Sequence, residues 1–366
     1  MEGPSLHDRL LIVEGRPLRS GLRLSVETTG RVVKAYAGYL LTRLGQFVLV
    51  VFIGINIAFI VTHATPIDPV EQSIAAATQF GSTSPEAIAL MRQSLKELYG
   101  LEGDLGRQYL AFWRRVAVAD FGPSLSAFPT PVSVLIGRAL PWTVGLLVVS
   151  TLLTWALGNL LGGLAGYYRR SRALRLAGIL AMAFHPIPYY IVAFVLLIVF
   201  GYLWPILPLS GGYRMNMPRD WSLGFMGSVI THSILPVLSL ALVGLGGWFM
   251  GMRSLVSNIV TEDYVAYAEL AGVKHRRILT AYVMRNALVP QVTGLAMSLG
   301  AIFNGAIITE QVFGYPGVGT LLVSAVYAGD YSLVLGITTV SIIAVSLAVL
   351  LIDLAYPLLD PRVRVR

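Results

Sequence analysis

Six long stretches that contain no Asp, Glu, Lys or Arg constrain this chain more than any other feature of its sequence. They cover residues 44–62, 142–166, 176–213, 222–252, 286–309 and 331–352. A helix needs about 20 apolar residues to cross the hydrocarbon core of a bilayer. Lipid offers a polypeptide backbone no hydrogen-bond partners, so each crossing segment must be helical. The sequence therefore predicts an all-α integral membrane protein with six transmembrane helices.

The composition excludes several other classes of protein. Of the 366 residues, 55% are hydrophobic and 13% are charged, whereas a soluble domain carries about 25% charged residues. The chain has no cysteine, which excludes disulfides and thiolate metal sites. Its five histidines lack the spacing of a metal hydrolase, and we expect neither a metal site nor a catalytic residue. A net charge of +8 in so apolar a chain is typical of asymmetric membrane loops rather than of nucleic-acid binding.

Proline and glycine decide how two uncharged stretches fold. Residues 311–329 are long enough to compete as a seventh span, but three glycines and one proline in their first half would break a continuous helix. We therefore predict a folded external hairpin there. The stretch 176–213 exceeds one span, and Pro205 and Pro208 should end its helix near Leu203.

The distribution of basic residues predicts the orientation. If the six stretches cross, 19 of the 27 Lys and Arg residues lie on the side that also holds both termini. Cytoplasmic loops are enriched in Lys and Arg, so we predict that both the N and the C terminus are cytoplasmic.

This orientation divides the chain into four parts. Residues 1–38 form an N-terminal cytoplasmic extension, residues 39–63 the first transmembrane helix, and residues 64–140 an external domain in which Ser84 is a candidate helix cap. Residues 141–366 form a core with five transmembrane helices. That core includes a cytoplasmic loop, residues 253–287.

The cytoplasmic loop has the pattern of two short helices separated by a glycine. Thr261 can cap the first helix, whose acidic N-terminal residues favour that end, and Gly272 can end it. A second helix should follow over residues 273–285 and lead into the fifth span. From the pattern alone, this loop is either a contact with a cytoplasmic partner or an amphipathic segment held by anionic lipid.

Ordered motifs across the chain resemble one family of transporters. In the loop they are Glu262-Asp263-Tyr264-Val265, Ala268, Gly272 and Arg285-Asn286-Ala287-Leu288 with Pro290. Elsewhere they lie at residues 64–70, 120–124, 207–211, 309–319, 330–331 and 360–362. Together they resemble the oligopeptide/dipeptide permease family of binding-protein-dependent ABC importers, over about residues 39–366.

The resemblance implies a type I ABC importer permease in the inner or plasma membrane of a bacterial or archaeal cell. It implies four kinds of partner: a second homologous permease, two ABC ATPase subunits, an extracytoplasmic substrate-binding protein and membrane lipid. ATP and Mg²⁺ would bind the ATPases, because this chain has no G-x-x-x-x-G-K-[ST] motif. We therefore expect no cofactor in this chain.

The resemblance also assigns candidate site residues in three groups. The ATPase-coupling residues are Glu262, Asp263, Tyr264, Ala268, Glu269, Gly272, Val273, Arg277, Arg285, Asn286 and Pro290. The residues assigned to the translocation path are Gln291, Asn304 and Glu310. The loops that would face the binding protein contain Asp68, Pro69, Phe313, Tyr315, Pro316 and Gly317.

Several alternatives remain open on the sequence. Gln291 and Asn304 can equally form hydrogen bonds between helices, and Glu310 can pair across the heterodimer or guide a cationic substrate. Families that resemble this chain carry short peptides, which we expect here, but also oligosaccharides, opines and chelated metals. An ion-coupled secondary transporter would want ionisable groups at mid-membrane and inverted repeats, and neither is evident.

Overall fold

A computed structural model of the protein describes residues 19–64, 70–71, 74, 84–99, 103–220, 222–300 and 307–359. Every regular element in these residues is helical. The helices are α1 Arg19–Ala64, α2 Pro85–Tyr99, α3 Leu105–Ala117, α4 Val132–Tyr167, α5 Arg172–Phe184, α6 Tyr189–Leu196, α7 Leu223–Ile259, α8 Asp263–Leu270, α9 His275–Arg277, α10 Arg285–Gly300, α11 Ile307–Val312, α12 Val318–Tyr327 and α13 Tyr331–Leu359. The π-helical segment Leu197–Leu203 continues α6, and a second one, Ile278–Met284, joins α9 to α10.

Four of the described helices are long and apolar enough to cross a membrane. The qualifying segments are Gly38–Ala64, Val132–Tyr167, Leu223–Ile259 and Tyr331–Ala355. A fifth candidate is the bent pair of α5 with α6 and its π-helical continuation. The predicted fifth stretch, 286–309, contains the 16-residue α10 and then residues 301–306, which lie outside the described part. The chain is thus a multi-pass helical protein, and the count of six crossings stays a prediction.

The predicted third span is not one continuous helix. The segments Arg172–Phe184 and Tyr189–Leu203 meet at an angle of 106°. Pro186 and Pro188 cause the break, because proline lacks the backbone N–H of a helical turn and restricts the residue before it. The later prolines, Pro205 and Pro208, end the helix at Leu203 as predicted, whereas the break at Pro186 and Pro188 was not predicted.

Small residues bring α4 and α7 into close contact. Gly158, Gly162 and Gly166 follow one another at every fourth position, and all three are buried. A methyl group at Gly162 would lie 2.4 Å from the backbone oxygen of Phe249, and one at Gly166 would lie 2.9 Å from that of Arg253. This spacing of small residues lets membrane helices approach backbone to backbone. The two helices therefore form a tightly packed centre of the bundle.

The first and last described helices, α1 and α13, pack together. The guanidinium of Arg43 lies 3.2 Å from the carboxylate of Asp353, and both side chains are partly buried. The hydroxyl of Tyr39 donates to the backbone oxygen of Asp353 at 2.7 Å. The charge near the end of α13 is therefore matched by a partner within the chain.

The segment between α1 and α4 is fastened to the bundle through Asp330. The Asp330 carboxylate is fully buried. It accepts hydrogen bonds from the hydroxyls of Ser124 and Ser126 and from the backbone N–H of Ser126. It also accepts from the N–H of Leu333 at the start of α13.

In the segment between α1 and α4, the hydroxyl of Ser84 accepts from a backbone N–H of α2 at 3.3 Å, so the predicted cap is confirmed.

Residues 311–329 form a helical hairpin rather than a continuous helix. Helix α11 ends at Val312 and α12 begins at Val318. Gly314 adopts a φ of 53°, in the left-handed region that glycine favours. The prediction that glycine and proline would interrupt this stretch is confirmed.

Candidate functional site

The loop predicted at residues 253–287 is mostly helical and is continuous with the long helices on both sides. Helix α7 runs on to Ile259, seven residues beyond the predicted end of its span. Helix α8 begins at Asp263 with Glu262 as its N-cap residue. The predicted cap by Thr261 is wrong, because its hydroxyl donates to the backbone oxygen of Asn258 in the preceding turn.

Gly272 ends α8, as predicted. It has a φ of 73°, and its N–H donates to the backbone oxygen of Glu269 at 3.0 Å. The N–H of Val273 donates to the oxygen of Ala268 at 3.1 Å. This is the usual way for a glycine in the left-handed region to close a helix. Nothing lies within 4 Å of a methyl group placed on Gly272, so the backbone conformation alone selects glycine there.

The second helix of the loop does not end before the next span. It starts at His275, passes through the π-helical segment Ile278–Met284 and continues as α10 to Gly300. Pro290 lies inside α10 rather than at a boundary. The helix predicted over residues 273–285, leading on into the next stretch, is therefore confirmed, and the part of the loop that follows Gly272 continues without a break into α10.

One face of α8 is buried against both neighbouring long helices. Val265 is fully buried and Ala268 is 7% exposed. They belong to a single apolar cluster with Met252 and Val256 of α7 and with Ile278, Val283 and Ala287 of the following helix. The small side chain of Ala268 permits close approach, so α8 cannot move without moving the ends of α7 and α10.

Another face of α8 carries large side chains that the described residues leave partly or mostly exposed. Tyr264 is 40% exposed, Tyr267 71% and Leu270 85%. These residues recur every third position, which places them along one side of a helix. Of these three residues only Tyr264 was predicted as a site residue, although the spacing of Tyr267 and Leu270 is a signal in the sequence. We call the three side chains the α8 face.

The polar residues of the loop motifs fall into two groups. The amide of Asn286 donates to the hydroxyl of Tyr264 at 3.0 Å and to the backbone oxygen of Tyr282 at 2.7 Å, so it links the two helices of the loop. The remaining charged residues of the predicted coupling set are exposed and form no ion pair within the described part of the chain. They are Glu262, Asp263, Glu269, Arg277 and Arg285.

At the other end of the bundle, the carboxylate of Glu310 is fully enclosed by its own chain. It accepts from the hydroxyl of Thr143 at 2.6 Å and from the backbone N–H groups of Gly319 at 2.7 Å and Thr320 at 3.2 Å. The hydroxyl of Thr143 also accepts from the N–H of Val318 at 2.8 Å. The carboxylate thus lies at the N-terminal end of α12, where negative charge is favoured. We call this arrangement the Glu310 latch.

The latch bears on the two roles that the sequence left open for Glu310. An ion pair across a heterodimer and guidance of a cationic substrate both need an accessible carboxylate. In this structure the carboxylate instead holds α11, α12 and the part of α4 near Thr143 together.

The remaining predicted residues of the translocation path and the external loops are buried, half-buried or outside the described residues. Phe313 is 2% and Tyr315 is 3% exposed, and the hydroxyls of Tyr315 and Ser233 lie 2.9 Å apart. Gly317 is buried against the Glu310 carboxylate, and Pro316 is half-buried. Gln291 is 7% exposed, and its backbone oxygen accepts from the indole of Trp155. The predicted residues Asp68, Pro69 and Asn304 lie outside the described residues.

Known proteins resemble this chain along most of its length. Residues 158–365 match the family described as "Binding-protein-dependent transport system inner membrane component". The chain is 28% identical to the oligopeptide transport system permease protein AppB of Bacillus subtilis, over 86% of this chain and 95% of that protein. It is 30% identical to the dipeptide transport system permease protein DppB of Escherichia coli, over 89% of this chain and 98% of that protein. It is 31% identical to a putative peptide permease protein of Brucella suis, over 84% of this chain and 92% of that protein.

Proposed function

Because the chain belongs to the family of binding-protein-dependent transport system inner membrane components, we propose that it is one permease subunit of an ATP-driven importer. Its relatives are named as oligopeptide and dipeptide permeases, and we propose a short peptide as its substrate. In this proposal the chain makes six crossings of the cell membrane with both termini in the cytoplasm.

The α8 face is the observation that carries the proposal. A short helix with one side locked into the bundle and with tyrosine and leucine exposed on the other is suited to fill a groove on a partner protein. Tyrosine is enriched among the residues that contribute most to protein interfaces. The partner would be an ABC ATPase subunit, which binds the ATP and Mg²⁺ that this chain has no motif to bind.

The packing of α8 suggests how a movement of the ATPase subunits would be transmitted to the membrane helices. When two ATPase subunits close around ATP, their motion would displace α8, and the apolar cluster around Val265 would carry that displacement into α7 and α10. The close contact of α4 with α7 would spread it through the bundle. A packed bundle of this kind switches between discrete arrangements rather than bending continuously. With a second, homologous permease, the switch would open a shared cavity first to one side of the membrane and then to the other.

The proposed function is tested by reconstitution in liposomes. We expect uptake of a labelled dipeptide only when the second permease, both ATPase subunits, ATP and the external binding protein are all present. Uptake driven by an ion gradient without the ATPases would contradict the proposal and favour a secondary transporter. Calorimetry on the binding protein would identify the substrate, since an oligosaccharide, an opine or a chelated metal would replace the peptide without changing the importer.

Cysteine labelling is expected to place the α8 face in the cytoplasm. The natural chain contains no cysteine, so single substitutions give an unambiguous signal. Leu270→Cys and Met215→Cys are matched, because the two side chains are 85% and 87% exposed. In intact cells a membrane-impermeant maleimide should label Met215→Cys and leave Leu270→Cys unlabelled. In inside-out vesicles the same reagent should label Leu270→Cys and leave Met215→Cys unlabelled. Labelling of Leu270→Cys in intact cells would overturn the proposed orientation.

Replacement of Gly272 by valine is expected to uncouple ATP hydrolysis from uptake. A β-branched residue is strained at a φ of 73°, at a cost of about 1–2 kcal/mol. The strain should change the angle between α8 and the helix that follows, so uptake per ATP hydrolysed should fall several-fold in the reconstituted complex. Gly272→Asn is the control, because asparagine tolerates the left-handed region. Equal coupling in the valine variant and the natural protein would count against the role of this turn.

A further inference from the structure

A small amphipathic cavity lies where the C-terminal parts of α4 and α7 meet the start of α5, which the proposed orientation puts on the cytoplasmic side. Its volume is about 90 Å³, and it adjoins a wider depression of about 790 Å³ that shares Arg169, Ser171 and Leu174 with it. The α8 face does not contribute to either. The cavity is therefore separate from the surface proposed to meet the ATPase.

One end of the cavity is strongly basic. Arg169, Arg175 and Arg253 come from three different parts of the chain and all line it. None of the three forms an ion pair within the described residues. Arg169 is held in place by its bonds to the backbone oxygens of Ser257 at 2.9 Å and of Gly166 at 3.4 Å. Three arginines that line one cavity repel one another unless an anion is bound there, and the planar guanidinium group suits phosphate oxygens.

The other end of the cavity is apolar and open to the surroundings of the bundle. Ile179 and Met182 line it and are 58% and 45% exposed. The ring of Phe249 closes the floor and is 1% exposed. The lack of a side chain at Gly178 leaves room for the Phe249 ring, because a methyl group on Gly178 would lie 2.7 Å from that ring. The apolar wall continues along α5 through Leu176 and Leu180, which are also exposed.

We propose that this cavity binds an anionic phospholipid. The lipid phosphate lies between Arg169, Arg175 and Arg253, and an acyl chain follows Ile179 and Met182 along α5. Inorganic phosphate would occupy only the space near the arginines, whereas a phospholipid would also extend along the apolar side chains that line the cavity. Basic pockets between membrane helices on the cytoplasmic side suit such head groups. The inference does not depend on what the protein transports.

Native mass spectrometry of the full-length chain tests the proposal, with the protein in the assembly in which it purifies and in a neutral detergent. Added phosphatidylglycerol should be retained in preference to phosphatidylcholine of the same acyl chains. The double variant Arg175→Gln/Arg253→Gln should lose this preference, with affinity falling about fivefold for each arginine removed. The control Arg172→Gln removes the same charge from the same segment but outside the cavity, and it should retain the lipid as the natural protein does.

The outcomes that overturn the proposal are distinct. Equal retention of the two lipids would exclude an anionic site, and equal loss in the double variant and in Arg172→Gln would show a diffuse charge effect. Displacement of phosphatidylglycerol by inorganic phosphate at the same concentration would assign the arginines to a soluble anion. Where the double variant elutes as aggregate, the single variants Arg175→Gln and Arg253→Gln are used, each with an expected fivefold loss. ATP-driven uptake is a separate readout, and its failure would leave the lipid result intact.

Discussion

Replacing Leu270 with aspartate should separate this chain from its ATPase partners and abolish most ATP-driven uptake. Leu270 is 85% exposed and lies at the end of the α8 face, where the proposal puts it in an apolar groove of the partner. A carboxylate there would be buried without a partner charge. Central residues of an interface contribute about 2 kcal/mol or more, so affinity for the ATPase subunits should fall on the order of 30-fold. The measurement is co-purification titrated against ATPase concentration, together with uptake in liposomes.

A matched control separates this effect from damage to the fold. Leu223→Asp makes the same substitution at a side chain that is 88% exposed, at the opposite end of α7. It should leave ATPase binding unchanged. The thermal unfolding temperature of both variants in detergent should be close to that of the natural chain. Substitutions of exposed residues usually change the free energy of unfolding by about 0.5 kcal/mol or less. If Leu270→Asp binds the ATPases with natural affinity, the α8 face is not the contact surface.

Replacing Glu310 with glutamine should weaken the end of the bundle that contains the Glu310 latch. The glutamate carboxylate accepts from Thr143, Gly319 and Thr320, whereas an amide offers one acceptor oxygen and turns its N–H₂ group towards the remaining donors. A buried donor left without an acceptor costs about 1–3 kcal/mol. We expect the free energy of unfolding in mixed micelles to fall by about 2–3 kcal/mol. Uptake should fall as well, since the hairpin of α11 and α12 would lose its fixed position.

Two further variants define what the Glu310 latch does. Glu97→Gln makes the same substitution at an exposed side chain of α2. It should change neither the free energy of unfolding nor uptake. Gly317→Ala disturbs the latch from the opposite side, because its methyl group would lie 2.4 Å from the Glu310 carboxylate. It should destabilise the protein in the same way as Glu310→Gln. If Glu310→Gln is as stable as Glu97→Gln but loses uptake, the carboxylate acts on the substrate rather than on the fold.

Local sequence features predicted those parts of the fold that depend on one segment at a time. Proline or glycine within the segment itself explains three of these features. They are the break in the helix after Gln311, the end of the π-helical segment at Leu203, and the end of α8 just before Gly272. The bend at Pro186 and Pro188 has the same kind of signal. It was missed because the surrounding residues are apolar enough to suggest one uninterrupted span.

The candidate site divides in a similar way. The motif resemblance identified the loop around Tyr264 and Gly272, and helical spacing could have added Tyr267 and Leu270. The continuation of the second loop helix into α10 was predicted from the sequence. No local pattern indicates that α7 continues to Ile259, because that extension depends on packing around Val265. The rigid attachment of α8 to two long helices is therefore a finding of the structure.

By itself, the sequence determined that this protein is helical and crosses a membrane, because uncharged stretches of sufficient length leave the backbone no other way to satisfy its hydrogen bonds in lipid. Only the tertiary structure decided what the few buried acidic residues do. Glu310 accepts a hydrogen bond from a residue 167 positions away, and Asp330 accepts one from a residue 206 positions away. The partner of a buried carboxylate is set by which helices come together, and that is a property of the whole bundle rather than of any one segment.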